Sequence, residues 1–265
     1  MPTLFELQNR IFCALLRSYC CLSRRYSIEI FDQIDSTNSY LLQRSPLQSD
    51  RVQLLFARRQ TAGRGQYRRQ WLSPETGNLY LSIGFGAEMN HPNLSQASLL
   101  TGVLLITTLQ NSPMPEPIKH RLQLKWPNDL WLEGAKVGGV LTEQRFTGQH
   151  ISMVIGLGVN FSGEGLEPLE SSYSYLSLEA GAQPVWLAQL LQGMDRLFCQ
   201  FDTQYAVELL QLWPTLDALW QQPLQVQQGE RVFYGTGAGI DSRGHLLLST
   251  QEGVVALCSG SVVLC

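Results

Sequence analysis

The stretch LQLKWPNDLWLEGAKVGGVLTEQRFTGQHISMVIGLGVNF, residues 122–161, decides the fold class. Four apolar runs stand in it: Leu122 to Lys125, Leu130 to Leu132, Lys136 to Glu143 and Ile151 to Phe161. Pro127 forces a bend between the first two, and Glu133-Gly134 and Thr147-Gly148 supply the later turns. Short strands joined by such turns form a meander, which gives a mainly antiparallel sheet.

Upstream, a short strand at Ser27 to Phe31 leads into Asp35-Ser36-Thr37-Asn38. These polar residues precede Leu41 and Leu42 and predict a helix N-cap. Strands are expected at Val52 to Ala57 and Leu79 to Phe85, with a loop rich in Gly and Arg between them. Leu94 to Leu109 is aliphatic and free of Pro, and it reads as a buried helix. Residues 3–22 also carry helical apolar spacing.

Downstream, helices are expected at Val185 to Phe201 and Thr203 to Leu212. The composition then breaks at Gln221-Gln222-Pro223. Beyond it come short strands punctuated by Gly: Gln225 to Gln227, Arg231 to Thr236, His245 to Ser249, Gly253 to Leu257 and Ser261 to Leu264. These predict a small β-barrel. The class is therefore α+β with a mixed, mainly antiparallel sheet. The expected division is an extension at 1–26, a main domain at 27–221 and a β domain at 222–265.

The chain has 265 residues, 44% hydrophobic and 15% charged, which suits a globular protein with a real core. A net charge of −3 gives no global pull towards nucleic acid or anionic membrane. Attraction for phosphate must be local, and Arg58, Arg59, Arg64, Arg68 and Arg69 fall within twelve residues. The six cysteines show neither CxxC nor zinc spacing, and in a chain this long they predict reduced thiols and the cytoplasm. The apolar patch Ile11 to Leu16 is too short for a membrane span or signal peptide.

Four constellations carry candidate chemistry. In Gln60-Thr61-Ala62-Gly63-Arg64-Gly65-Gln66-Tyr67-Arg68-Arg69-Gln70-Trp71, glycines allow close backbone approach and guanidinium groups can fork onto phosphate oxygens. It is neither a dinucleotide fingerprint nor a P-loop, and by composition alone a solvated basic loop explains it equally well. Lys125-Trp126-Pro127-Asn128-Asp129 places an ammonium, an amide and a carboxylate at one bend; the bland alternative is an exposed turn. Lys136-Val137-Gly138-Gly139-Val140-Leu141-Thr142-Glu143 and Gly156-Leu157-Gly158-Val159-Asn160 suggest a ligand close to the backbone, or simply bulged edge strands.

Together, in this order, the motifs resemble those of biotin–protein ligases. The matching residues are Ser36-Thr37-Asn38; Gln60-x-Ala62-Gly63-Arg64-Gly65 with Trp71; Lys125 to Asp129; Lys136-x-Gly138-Gly139-x-Leu141-x-Glu143; and Gly156 to Asn160. Gly239-Ile240-Asp241, Gly244 to Leu248, Gly253-Val254 and Ser259-Gly260 resemble the family's tail. The resemblance covers residues 27–265 and implies a class II synthetase-like catalytic domain with an SH3-like β domain. Its activity would form biotinyl-AMP from biotin and ATP with Mg2+, then biotinylate a lysine of a biotin carboxyl carrier protein.

By that similarity Ser36, Thr37, Asn38 and Gln60 would hold biotin, with Arg64, Gly65 and Gln66 closing over it. Lys136, beside Gly138 and Gly139, would approach its carboxylate. Arg64, Trp71, Lys125, Asn128, Gly158 and Asn160 would serve ATP. Arg64, Lys125, Lys136 and Asp129 would carry the chemistry, and Asp129 is the candidate metal contact. Such steps need positioning and positive charge, not a protein nucleophile, and no Cys, His or GxSxG serine lies in the five motifs between Ser36 and Asn160. Gln66, Tyr67 and Arg68 depart from the loop's commonest pattern, which implies a stiffer loop with fewer charges on the adenylate.

Three other readings compete: a lipoate or octanoate ligase, a binder without turnover, and a DNA-binding regulator. The pairing of KWPND with GRG speaks against the first, and the retained charged set speaks against the second. Only 35 residues precede Ser36, too few for three helices of ~10 residues each, so no operator binding is expected. No membrane partner is expected either. A homodimer is compatible with the sequence but not specified by it.

Overall fold

The computed structural model of the chain describes residues 12–14, 16–18, 22–75, 78–112, 114–164, 173–176 and 183–265. Of the helix expected over 3–22, residues 12–14 and 16–18 are helical, Leu22 is not, and the rest lies outside the described residues. The main sheet has seven strands in the order β1-β2-β3-β7-β6-β5-β4. They are β1 Arg25–Ile34, β2 Arg51–Gln60, β3 Leu79–Glu88, β4 Leu122–Lys125, β5 Asp129–Leu132, β6 Ala135–Thr147 and β7 His150–Val159. The meander is present, with β4 to β7 paired antiparallel in sequence. One pairing breaks the pattern: β1 runs parallel to β2, from Arg25↔Arg51 to Ile34↔Gln60. The intervening helix α1, Thr37–Gln43, supplies the crossover that a parallel pair requires.

The two faces of this sheet have different duties. Leu54, Leu81, Ile155, Leu157 and Val140 point to the face covered by α2, Ala97–Gln110, and α3, Gln183–Phe198. Helix α2 is buried almost all round because it lies between the sheet and α3, so it needs no polar stripe. It is preceded by a 3-10 turn at Leu94–Gln96, so the expected single helix is two pieces. The opposite face carries a smaller cluster, Leu41, Leu47, Leu55 and Val154, under α1. The remainder of that face is open, and the candidate site occupies it.

After α4, Thr203–Leu210, the chain enters a second, five-stranded antiparallel sheet in the order β11-β10-β9-β8-β12. Its strands are β8 Pro223–Gln228, β9 Arg231–Ile240, β10 Leu246–Thr250, β11 Gly253–Leu257 and β12 Ser261–Leu264. Leu224, Val226, Leu246, Leu248, Leu257 and Val262 bury its inner face. The fold is the expected α+β sheet with an SH3-like tail. Among the described residues no helix is long and apolar enough to cross a membrane.

Candidate active site

The open face of the sheet is floored by backbone. Gly139, Gly156 and Gly158 are cross-strand neighbours on β6 and β7, with Gly139 opposite Gly158. A Cβ at Gly156 would overlap Asn38 Oδ1, and one at Gly158 would lie 2.6 Å from Trp71 Cε2 and Cζ2. The two glycines thus seat an amide from α1 and an indole from the Gly/Arg loop flat on the sheet. Gly63 has a comparable duty, since a Cβ there would meet Trp71 O at 2.5 Å.

Ser36 caps α1 by accepting from Ser39 N at 3.4 Å, which brings Thr37 and Asn38 to the sheet. Gln60 Oε1 accepts from Thr37 N at 2.9 Å and lies 3.1 Å from Thr37 Oγ1, while Gln60 Nε2 donates to Ser73 Oγ at 3.0 Å. Ser82 Oγ lies 2.7 Å from Thr37 Oγ1 and donates to Asn38 Oδ1 at 2.5 Å. Ser36, Thr37, Asn38, Ser73 and Ser82 are all buried, so this polar floor is rigid and satisfied.

At the other end, Lys136 Nζ donates to Asp129 Oδ1 at 2.6 Å and stands 5.3 Å from the centre of the Trp71 ring. Strict strand alternation would put Lys136 on the face opposite Gly139 and Leu141. The register shifts between Leu130↔Gly138 and Trp131↔Lys136, so Val137 is an extra residue that restores Lys136 to the cleft side. Lys125 pairs with Asp129 across β4 and β5, and its Nζ lies 4.6 Å from the centre of the Trp131 ring. Burial pushes the Lys125 ammonium below the usual lysine range. Asp129 draws it back up, while Lys136 and Arg69 push it further down.

The Gly/Arg segment is folded on itself. Gly65 N donates to Arg69 O at 2.8 Å and Trp71 N to Gly63 O at 2.9 Å, with Tyr67 at φ 53° between them. Arg64 Nη2 donates to Glu143 Oε2 at 2.7 Å. The segment closes one side of a cleft of about 190 Å³. Ser36, Thr37, Asn38, Gln60, Arg64, Gly65, Gln66, Trp71, Lys125, Asn128, Asp129, Lys136, Gly139 and Gly158 all line it. Gly138 and Asn160 lie outside that lining. Gly138 faces Gly158 O and Leu130, and Asn160 is 1% exposed with Nδ2 on Ser174 O at 3.3 Å. Asn128 lines the cleft, yet its Nδ2 is committed to Val140 O at 2.7 Å.

Sequence reasoning named Arg69 and Glu143 without giving either a role, and it missed the floor residues Ser73 and Ser82 and the rim residue Tyr173. It also missed Gly260, Ser261 and Val262 of the tail, which line the same cleft. Arg69 Nη2 donates to Ser261 Oγ at 3.3 Å. Glu143 had a signal, because it shares strand parity with Gly139 and Leu141. No local pattern could have brought the tail strand in. Among the described residues no group of three or more His, Cys, Asp or Glu side chains gathers as a metal site. Among the described residues Asp129 is the one carboxylate in the lining.

A family model described as the Biotin/lipoate A/B protein ligase family matches residues 30–160. The Bifunctional ligase/repressor BirA of Escherichia coli K12 is 32% identical over 235 residues, covering 86% of this chain and 71% of that protein. The Biotin--[acetyl-CoA-carboxylase] ligase of Paracoccus denitrificans is 30% identical over 227 residues, covering 83% of this chain and 92% of that one. A solved structure of Aquifex aeolicus biotin protein ligase in complex with biotin and ATP has the same fold. It superposes with a TM-score of 0.73 at 24% identity, covering 90% of this chain and 99% of that one.

Proposed function

We infer the function from one premise: the chain belongs to the biotin/lipoate A/B protein ligase family, among its biotin–protein ligases. The cleft joins biotin to ATP and then to a protein amine. In the first step a biotin carboxylate oxygen attacks the α-phosphorus of ATP. A P–O bond forms, pyrophosphate leaves and biotinyl-AMP remains. In the second, the ε-amine of a carrier lysine attacks the acyl carbon. A C–N bond forms, the nitrogen loses a proton and AMP leaves. The observation that carries this reading is one cleft with a buried neutral hydrogen-bonding floor at one end and Lys125, Lys136 and Arg69 at the other.

Each end suits one part of the work. Thr37, Asn38 and Gln60 offer fixed donors and acceptors to the ureido ring, and a site of that kind discriminates strongly against analogues lacking those groups. Lys136 faces the carboxylate and the phosphoryl oxygens, Lys125 adds charge as the second step expels AMP, and Trp71 with Gly158 supports the adenosine. Arg64 and Gln66 cover the junction. Asp129 is the residue that would hold a magnesium ion, which would supply positive charge against the phosphate oxygens of ATP. Asp129 also orients the incoming lysine. The working division is 1–26, 27–221 and 222–265, and the acceptor is a biotin carboxyl carrier domain in the cytoplasm.

One assay tests this. Labelled biotin, ATP and magnesium are mixed with the chain and an apo carrier domain, and label is expected in the carrier. Uptake of lipoate with no uptake of biotin would overturn the reading. Lys136→Ala is expected to slow pyrophosphate release by at least ~100-fold, because its charge acts at the reacting phosphate. Near-normal release would remove Lys136 from the site.

A further inference from the structure

Glu143 closes the segment that Lys136 opens on β6, yet neither step of the reaction uses it. Its carboxylate oxygen Oε2 accepts two bonds, from Asn38 Nδ2 at 2.9 Å and from Arg64 Nη2 at 2.7 Å. Asn38 belongs to the buried floor and Arg64 to the segment that closes the cleft. The floor chain from Ser73 through Gln60, Thr37, Ser82 and Asn38 therefore continues through Glu143 into the loop. The half-exposed Arg64–Glu143 pair contributes little to stability, since side-chain exposures of 40% and 24% leave it well screened. What it fixes is position.

We propose that Glu143 is a positioning residue for this reaction, one oxygen that holds the biotin floor and the phosphate-side loop in register. The inference rests on the biotin-ligase reading for the identity of the ligand. Asn38 is 3% exposed, so both ends of its amide need partners. Oδ1 has Ser82, and Nδ2 has Glu143 plus a longer contact to Leu141 O at 3.3 Å. Without the carboxylate the amide keeps only that longer bond and can turn away from the cleft. Without it Arg64 also loses its anchor, and the outer side of the loop faces an open hollow bounded by Leu141, Thr142 and Glu143. Arg64 has further N–H groups beyond the one held by Glu143, so anchoring and phosphate contact do not compete for a donor.

The test uses the full chain, Glu143→Ala and Glu143→Gln, with two readouts. Limited trypsin digestion, mapped by mass spectrometry, follows cutting after Arg64, Arg68 and Arg69; calorimetry gives the Kd for biotin. Glu143→Ala is expected to be cut in this loop several-fold faster and to bind biotin about tenfold more weakly. The amide oxygen of Glu143→Gln can still accept from both donors but without charge assistance. It should restore biotin binding to within roughly threefold and leave loop cutting intermediate. Wild-type cutting and binding in Glu143→Ala would overturn the proposal. So would equal damage from both substitutions, which would mark a general structural loss. Should the unaltered chain bind no biotin, the ligase reading fails, while the cutting pattern still decides whether Glu143 holds Arg64.

Discussion

Lys125 sits near two other cations and one carboxylate, and its titration follows the balance among them. Burial already holds its ammonium below the usual range, so as pH rises it loses its charge earlier than an exposed lysine. The alkaline limb of the rate of biotin transfer from the adenylate to the carrier, the step to which Lys125 adds charge, is expected to begin correspondingly early. Lys125→Arg should move that limb to higher pH. Asp129→Asn should move it lower, because Asp129 is the group drawing the Lys125 value up. A limb that ignores both substitutions would separate Lys125 from the chemistry. Gly158 offers a second single-residue test. A methyl group there would lie 2.6 Å from the Trp71 ring and displace it. Gly158→Ala is expected to raise the KM for ATP about tenfold and leave the KM for biotin nearly unchanged, as steady-state kinetics with each substrate varied in turn would reveal.

At the scale of elements, the contact between α2 and α3 is close enough to reverse a familiar substitution. Gly193 lies inside α3, where replacing Gly by Ala ordinarily gains about 1 kcal/mol of helix propensity. Its added Cβ would stand 2.6 Å from Leu104 Cδ1 and 2.7 Å from Leu104 Cδ2, and Leu104 is buried at 2% exposure. Overpacking of that kind costs about 1–3 kcal/mol, so the clash outweighs the propensity. Gly193→Ala is expected to lower stability by about 1 kcal/mol, read as a fall in the urea midpoint at constant slope. A rise in the midpoint would mean that the two helices can separate at little cost. The bulge at Val137 is the other element-level device, since it turns one lysine to the working face without altering the rest of β6.

Across the whole molecule, the tail sheet completes the cleft. Trp126 is 3% exposed and its Nε1 donates to Gly244 O at 2.9 Å, tying the Lys125–Asp129 bend to the tail. A second tie runs from Gln96 Nε2 to Ser242 O at 2.9 Å, and the Arg69–Ser261 bond is a third. Trp126→Phe keeps most of the apolar bulk but leaves the half-buried Gly244 carbonyl without its donor, a loss of about 0.5–1.5 kcal/mol. Hydrogen exchange is expected to quicken across β9, β10 and β12 while β3 and β7 keep their protection, with adenylate formation falling in parallel. Unchanged exchange in the tail would show that the sheets dock without this bond.

The sequence by itself determined the elements, because strand and helix periodicity, turn residues and caps act within a few residues of one another. The strands of residues 122–161, the helix cap at Ser36 and the break before Pro223 were all legible on that scale. Fourteen of the candidate residues named from motif order line the observed cleft, since those motifs are contiguous segments at neighbouring strand ends. Tertiary structure alone decided the parallel pairing of β1 with β2, the side to which Lys136 points, the burial of Asn160 behind the wall and the entry of Ser261 into the cleft. The Lys136 bulge is a register choice within the β5–β6 hairpin, and the other three depend on packing between segments far apart in the chain, where docking is set by shapes that no local run of residues encodes.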